Sequence, residues 1–340
     1  MTRFCRSPQR GAALLIAMLV VALVATFAAA SLWQQWRTVE VETSERARVE
    51  SGWILTGALD WARLLLREDA IASGNVDHLG EPWAVPLQEA RLSSFLAADS
   101  NNTTTDLGPE VMQAFLSGQI IDMQSMMNVN NMVDTTGNIV KEQVEAFQRL
   151  FSILNLPQDE LAKLVNNLRF ANMPIHVSPA PGPAPLTPLR VPELVWLGLS
   201  PQTVAVLEPY VTLLPAATKV NANTASAEVI AAYGDLELSE AQRLVQVRNA
   251  SYFHDLTEIH SHLTNGAAGS PAGQANELGV ASSFFEVRAQ LRLDKLVVEE
   301  RSVLQRIGIG NQAQIQVHVL TRERGTGDPT TLSRIAMFQR

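Results

Sequence analysis

The stretch 9-QRGAALLIAMLVVALVATFAAASLWQQWR-37 sets an arginine and a glycine directly against an apolar run that carries no charge until Arg37. Residues 11–32 number 22, of which only Thr26 and Ser31 are polar, and a helix of that length spans a hydrocarbon core of about 30 Å. Arg3, Arg6 and Arg10 precede the run, and Glu40, Glu42 and Glu45 follow it. Basic residues stay on the cytoplasmic side of a membrane segment, so the N-terminus is expected in the cytoplasm and the bulk of the chain outside it. Three fates fit the junction. A signal peptidase could cut after the small residues Ala28, Ala29 and Ala30; the helix could stay as an uncleaved anchor; or cleavage could fall between Gly11 and Ala12 and keep the helix. The run is long for a signal peptide, and Leu32, Trp33 and Trp36 carry the apolar pattern beyond the alanines, which argues against the first.

Outward from this segment, residues 33–68 contain no proline and read as a continuing helix. Ile54, Ala58, Trp61 and Leu65 recur at helical spacing and are the expected inward face. Glu42 and Arg46 stand at i, i+4, while Gly52 and Gly57 are points where bending is expected. A single helix from Ala12 to Arg67 would rise about 84 Å.

The chain has 340 residues, 46% of them hydrophobic, enough for two or three compact domains. Its one cysteine, Cys5, excludes a disulfide framework and a cysteine-based zinc site within the chain. Net charge is −8, and loss of Arg3, Arg6 and Arg10 would leave 23 basic residues against 34 acidic ones, or −11. That balance argues against sequence-blind affinity for nucleic acid or an anionic surface, both of which need surplus Lys and Arg.

Gly74, Asn75, Pro82 and Pro86 end the helical pattern. Residues 119–138, QIIDMQSMMNVNNMVDTTGN, read as strand and turn with a boundary at Thr136 and Gly137. Helices are expected at about 142–154, where Val144, Phe147, Leu150 and Phe151 share a face, and from Pro157 to about Phe170. The proline-rich 179-PAPGPAPLTP-188 reads as a linker, and two short helices over 191–211 follow, with Ser200 and Pro201 as a cap and first-turn pair. In 219-KVNANTASAEVIAAYGDLELSEAQRLVQVRNASYFHDLTEI-259, Asn223 and Thr224 cap a helix that Gly234 ends, and Ser239 and Glu240 open the next. After the Gly- and Ala-rich 265–279, the chain turns to strand character, with Ile315, Val317 and Val319 on one face and Gln314, Gln316 and His318 on the other.

No glycine-rich phosphate loop and no G-x-S-x-G elbow is present. His254, His260 and His262 lack a fourth-ligand pattern and read as surface histidines. Asp122, Asn128, Asn130 and Asp134 do not have EF-hand spacing and read as turn chemistry, and Met123, Met126, Met127 and Met132 as core filler. Residues 219–259 resemble the helix-hairpin-helix units of DNA-binding proteins, including the membrane-anchored competence DNA receptor, which makes a DNA receptor the rival function. Such units hold phosphates on backbone N–H groups freed by glycines, whereas this turn, 234-GDLEL-238, has one glycine and two acids.

The basic leader, Gly11 and Ala12 resemble the prepilin-type leader, in which a prepilin peptidase cuts after the glycine and the new N-terminus, here Ala12, is methylated. Ile16 takes the fifth mature position, where that family generally has a glutamate. That carboxylate is thought to neutralise a neighbouring subunit's amine inside the filament, so a subunit lacking it suits the tip. Together with 118-GQIIDMQSMMNVNNMV-133, 219-KVNANTASAEVIAA-232 and 282-SSFFEVRAQLRL-293, the chain resembles the general secretion pathway protein K family, the large minor pseudopilins of type II secretion. The resemblance implies an α+β fold: a pilin-like long N-terminal helix packed on an antiparallel sheet, interrupted by a large, mostly helical insertion with sterile-alpha-motif-like (SAM-like) parts. The divisions expected are a leader at 1–11, a transmembrane and filament helix at 12–36, a first pilin-like part at 37–136, the insertion at 137–280 with a second SAM-like unit near 219–263, and closing strands at 281–340. It implies a non-enzymatic subunit of the bacterial inner membrane with a periplasmic head. The implied partners are minor pseudopilins I and J, the major pseudopilin, the prepilin peptidase and the inner-membrane assembly platform, with no nucleic acid. It also implies a structural calcium ion in the helical region. Trp33, Trp36 and Trp53 are the candidate helix-packing anchors of assembly.

Overall fold

The computed structural model describes residues 10–72, 74–97, 114–172, 185–264, 278–293, 296–308 and 314–326. The start of the leader, residues 179–184 of the proline-rich linker and residues 265–277 lie outside them. The chain divides into two compact units, Met1–Ile54 and Leu55–Arg340.

The apolar run and the segment after it form one helix, α1 (Arg10–Ala72). Alanine and leucine dominate it and no proline interrupts it, so the helix continues through Gly52 and Gly57. In the first unit its apolar side chains, from Leu14 to Trp53, are exposed. It is the one helix among the described residues long and apolar enough to cross a membrane.

The second unit is built on a five-stranded antiparallel sheet. Its strands are β1 (Leu87–Arg91), β2 (Phe115–Asp122), β7 (Phe284–Leu293), β8 (Leu296–Ile307) and β9 (Gln316–Thr326), in the order β1-β2-β7-β8-β9. A short helix, α2 (Leu92–Ala97), follows β1. β2 can lie close against β7 because Gly118 has no Cβ; one built there would stand 2.9 Å from the Arg288 carbonyl oxygen. The inner face of the sheet packs on α1, with Leu59, Ala62 and Leu66 against Ile120, Phe285, Val287, Leu304 and Val317, and Trp83 set edge-on to Phe285.

Two expectations shift here. The buried stripe of α1 is Leu55, Leu59, Ala62 and Leu66, not Ile54, Ala58, Trp61 and Leu65; Trp61 is 44% exposed. The segment carries two apolar stripes one residue, or about 100°, apart, and periodicity alone does not choose between them. Ile315, just before β9, and Val317 within it are buried as expected, but Val319 is exposed. The β8–β9 register slips between Val303 and Leu304, which accommodates Leu320 as an extra residue and turns the edge strand outward.

Between β2 and β7 lies the insertion. It comprises β3 (Met127–Asn128), α3 (Lys141–Ile153), α4 (Gln158–Asn172), α5 (Pro201–Leu207), β4 (Val211–Thr212), β5 (Val220–Asn221), α6 (Ala227–Gly234), α7 (Leu238–Ala250), α8 (Leu256–Thr264) and β6 (Leu278–Gly279). Phe147, Leu150 and Phe151 of α3 are buried with Leu161, Leu164 and Leu168 of α4, as their spacing predicts. Met127 and Met132 fill the same core, and Met123 packs beside Leu214 and Phe284. The first of the two short helices over 191–211 is a 3-10 turn, Val191–Leu197, ended by Gly198 at φ 98°; the second, α5, is capped by the Ser200 hydroxyl, which accepts from the Thr203 N–H. The cap of α6 is Ser226, whose hydroxyl accepts from the Val229 N–H; of the expected caps, Thr224 is buried in the network described next, and the buried Asn223 side chain donates to the Phe253 carbonyl and accepts from the Phe253 N–H. β3 pairs with β4 and β5 with β6, both in parallel, and the second pair joins the two ends of the segment spanning 220–279.

Candidate functional site: the apolar helix and the buried joint

Every residue expected to act in processing or assembly lies on α1. Ala12 is exposed, as are Ile16 (63%), Trp33 (67%), Trp36 (58%) and Trp53 (73%). Trp33 and Trp36 come together, with ring centroids 5.6 Å apart. Trp53 does not join them: 20 residues beyond Trp33 is about five and a half helical turns, which puts it on the opposite side of the helix.

The main polar construction of the second unit was not legible in the sequence. It sits where the end of α1, the chain after it, the ends of β2 and β8, the start of β7 and the insertion's β5 meet. Arg306 is 1% exposed; its Nη2 lies 2.5 and 2.6 Å from the two Asp77 carboxylate oxygens and donates to the Ser282 carbonyl at 2.9 Å. Its Nη1 reaches the Leu66 carbonyl at 3.3 Å and Asp69 at 3.4 Å, and the guanidinium lies over the Phe285 ring. Asp77 also accepts from the Ser282 N–H at 2.7 Å. A second carboxylate, Asp122, accepts from the Ser282 hydroxyl (2.6 Å), the Thr224 hydroxyl (2.6 Å), the Asn221 amide (3.1 Å) and the Gln124 N–H (2.7 Å). The Asn221 amide also reaches the Asp77 carbonyl, and the Gln124 side chain bridges the Lys219 carbonyl to the Ser283 N–H. The joint therefore stitches the insertion to the sheet through residues far apart in the chain.

Burial sets the electrostatics. It raises the Asp69 carboxyl to about 7, helped by the negative charges of Glu81 and Asp77 and opposed by Arg306. Asp122 is raised to about 6 by burial, against the pull of the Ser282 and Thr224 hydroxyls. Glu81 is raised by burial too; one of its oxygens accepts from the His78 N–H and the Trp83 indole N–H, and the His78 ring stacks on Tyr252 of the insertion at 3.7 Å.

The oxygen ligands of a calcium ion are not assembled by the residues singled out for it. Asp122 is saturated by protein donors, Asn128 caps a 3-10 turn and accepts from the Leu214 N–H, and Asp134 folds back on Thr136 and Asn138, whose hydrogen bonds lower it to about 2. The turn reading holds for Asp134, while Asp122 and Asn128 join a turn bond to buried contacts with distant parts of the chain. Among the described residues one set of three acids converges, Asp69, Asp77 and Glu81, and the cation set against Asp69 and Asp77 there is the Arg306 guanidinium. The three histidines do not converge: His254 pairs with Glu258, and His262 lies against Phe253.

The hairpin between α6 and α7 is closed to phosphate. Asp235 takes the left-handed conformation at φ 53°, its N–H and that of Leu236 both bond to the Ala231 carbonyl, and Arg149 pairs with its carboxylate at 3.4 Å. Arg149 also donates to the Ala232 carbonyl at 2.7 Å, so this cation too is engaged internally.

Known proteins place these features. Residues 220–281, the segment that the β5–β6 pair closes, match the family described as type II secretion system protein K. The type II secretion system protein K of Pseudomonas aeruginosa is 27% identical over 343 residues, covering 95% of each chain. That of Klebsiella pneumoniae is 27% identical over 317 residues, covering 88% of this chain and 93% of its own. In fold, the chain is similar to one in the crystal structure of the GspK–GspI–GspJ complex from the enterotoxigenic Escherichia coli type 2 secretion system. The TM-score is 0.62 at 18% identity, over 84% of this chain and 99% of that one. With a long helix on an antiparallel sheet, a helical insertion between β2 and β7, and relatives matched nearly end to end, the chain is similar along its length to the type II secretion system protein K proteins.

Proposed function

We propose that the chain is a minor pseudopilin that forms, with minor pseudopilins I and J, the tip complex of the type II secretion pseudopilus and primes its assembly. The observation that carries this reading is full-length similarity to protein K of type II secretion systems, joined to an exposed apolar helix that opens at Gly11 and Ala12. The role is structural, in keeping with that family. Prepilin peptidase cuts between Gly11 and Ala12, leaving the helix of residues 12–36 first as a single-pass anchor in the inner membrane, with the N-terminus cytoplasmic and the head periplasmic. Assembly on the inner-membrane platform then moves this helix into contact with those of its partners and of the major pseudopilin, with Trp33, Trp36 and Trp53 as packing anchors. Ile16 leaves no carboxylate to receive the amine of a subunit above, which suits the terminal position.

The test is the mass of the mature N-terminal peptide from membranes of cells that make the prepilin peptidase, together with secretion in a strain lacking this chain. A methylated peptide beginning at Ala12 and loss of secretion are expected. A peptide beginning at Ser31, an intact Met1 leader, or normal secretion without the chain would overturn the reading.

A further inference from the structure

We infer that the Trp33–Trp36 pair is a lipid-interface anchor, seated in the headgroup zone of the leaflet farther from the N-terminus, that fixes the depth of α1 in the bilayer before assembly. The inference rests on the membrane-anchor part of the proposed function. Residues 11–32 rise about 33 Å along a helix, close to the hydrocarbon thickness of about 30 Å, so with Arg10 at one headgroup layer the next residue, Trp33, emerges at the other. Trp33 and Trp36 are i, i+3 neighbours, exposed on one side of the helix with ring centroids 5.6 Å apart. They form a continuous apolar wedge. Gln34, Gln35, Arg37 and Thr38, also exposed, surround it with groups that hydrogen-bond to headgroups and water. An indole prefers this zone because its ring is apolar and its N–H needs a partner. Charge begins at Arg37, where the hydrocarbon must end. Trp53 cannot share the role, since it stands about 25 Å of helix beyond Trp36. The occupant of this face is therefore phospholipid, and the pair must be pulled from it when the subunit leaves the bilayer.

The full chain reconstituted in phosphatidylcholine vesicles tests this, with bromine carried either near the headgroup end of the acyl chains or near their termini. The signal assigned to the pair is the tryptophan quenching lost in the variant carrying Trp33→Phe and Trp36→Phe. Shallow bromines are expected to quench that signal about twofold more than deep ones. Equal or deeper quenching overturns the inference, as does shielding that grows with the protein-to-lipid ratio, which would mean that the pair packs on a second copy. A protein that carbonate washes from the vesicles sinks the anchor reading itself and the inference with it; an integral protein without shallow quenching sinks only the assignment of Trp33 and Trp36.

Discussion

Replacing Arg306 by methionine tests the joint most directly. Methionine keeps the length and apolar stem of arginine but removes every donor: the two contacts with Asp77 at 2.5 and 2.6 Å, the approach to Asp69 at 3.4 Å, and the bonds to the Leu66 and Ser282 carbonyls. Asp77, with no exposed surface, would retain only the Ser282 N–H on its carboxylate. Stranding a buried charge in this way costs about 3–5 kcal/mol, a large part of the roughly 5–15 kcal/mol that holds a typical protein folded. Adding Asp77→Asn removes the stranded charge while keeping an acceptor for Ser282, and should restore about 1–3 kcal/mol. Urea unfolding of the full chain in detergent, followed by tryptophan emission, would read both, since Trp83 packs on the same Phe285 ring that Arg306 covers. If Arg306→Met unfolds within about 1 kcal/mol of the wild type at pH 8, or if Asp77→Asn brings no recovery, Arg306 is not the counter-ion of the joint.

The pH dependence of the wild type carries a definite sign. Asp69, at about 7, and Asp122, at about 6, both bind a proton more tightly folded than unfolded, so stability is greatest at low pH and is lost as pH rises through these values. Thermal unfolding should therefore give a higher midpoint at pH 6 than at pH 8, and a flat or rising profile across that window would contradict the burial of these groups. Leu150→Ala, at a fully buried site of the insertion, should cost about 2–5 kcal/mol by urea titration. Gly308→Ala should destabilise the β8–β9 hairpin: φ is 86° and the new Cβ would lie 2.5 Å from the Gln314 carbonyl oxygen, so faster amide exchange in β9 is expected. In a filter-binding assay at low salt, the chain should retain no duplex DNA; nanomolar, salt-sensitive retention would revive a nucleic-acid role for the α6–α7 hairpin.

The parts of the fold legible in the sequence are those with a local signature. An uncharged run of 22 residues, the spacing of Phe147, Leu150 and Phe151, and the Ser200–Pro201 start of α5 each need only neighbouring residues to be recognised. The α1 face was misplaced by one residue because two apolar stripes satisfy the same period, and the packing of Phe285 and Trp83 on Leu59, Ala62 and Leu66 decides between them. The joint was invisible for a different reason. Arg306 and Asp77 are 229 positions apart, Asp122 and Ser282 160 apart, and neither pair leaves a trace at short range. The one available signal was Asn221 and Thr224 set among small apolar residues in a segment otherwise rich in helix formers. Short polar side chains there read as helix caps, and a buried network uses the same side chains.

The position of the joint explains how a pilin-like sheet tolerates so large an insertion. Asp122, the last residue of β2, pairs with Phe285 at the start of β7, so the chain leaves the sheet and returns at adjacent points. In topology the insertion is the loop of a β-hairpin, and because closure entropy grows only logarithmically with loop length, lengthening it adds little to the cost of pairing the strands. What length does not supply is a fixed orientation for the inserted body. The hydrogen bonds that Asp122 accepts from Thr224 and Asn221, and its bond to Ser282 at the return point, provide that at the exit itself. Arg306 and Asp77 then tie the same point to the end of α1. Removing the Asp122 network should therefore leave the sheet and the helical core individually folded while loosening their register, a separation that hydrogen exchange would resolve as fast exchange confined to β5 and the start of β7.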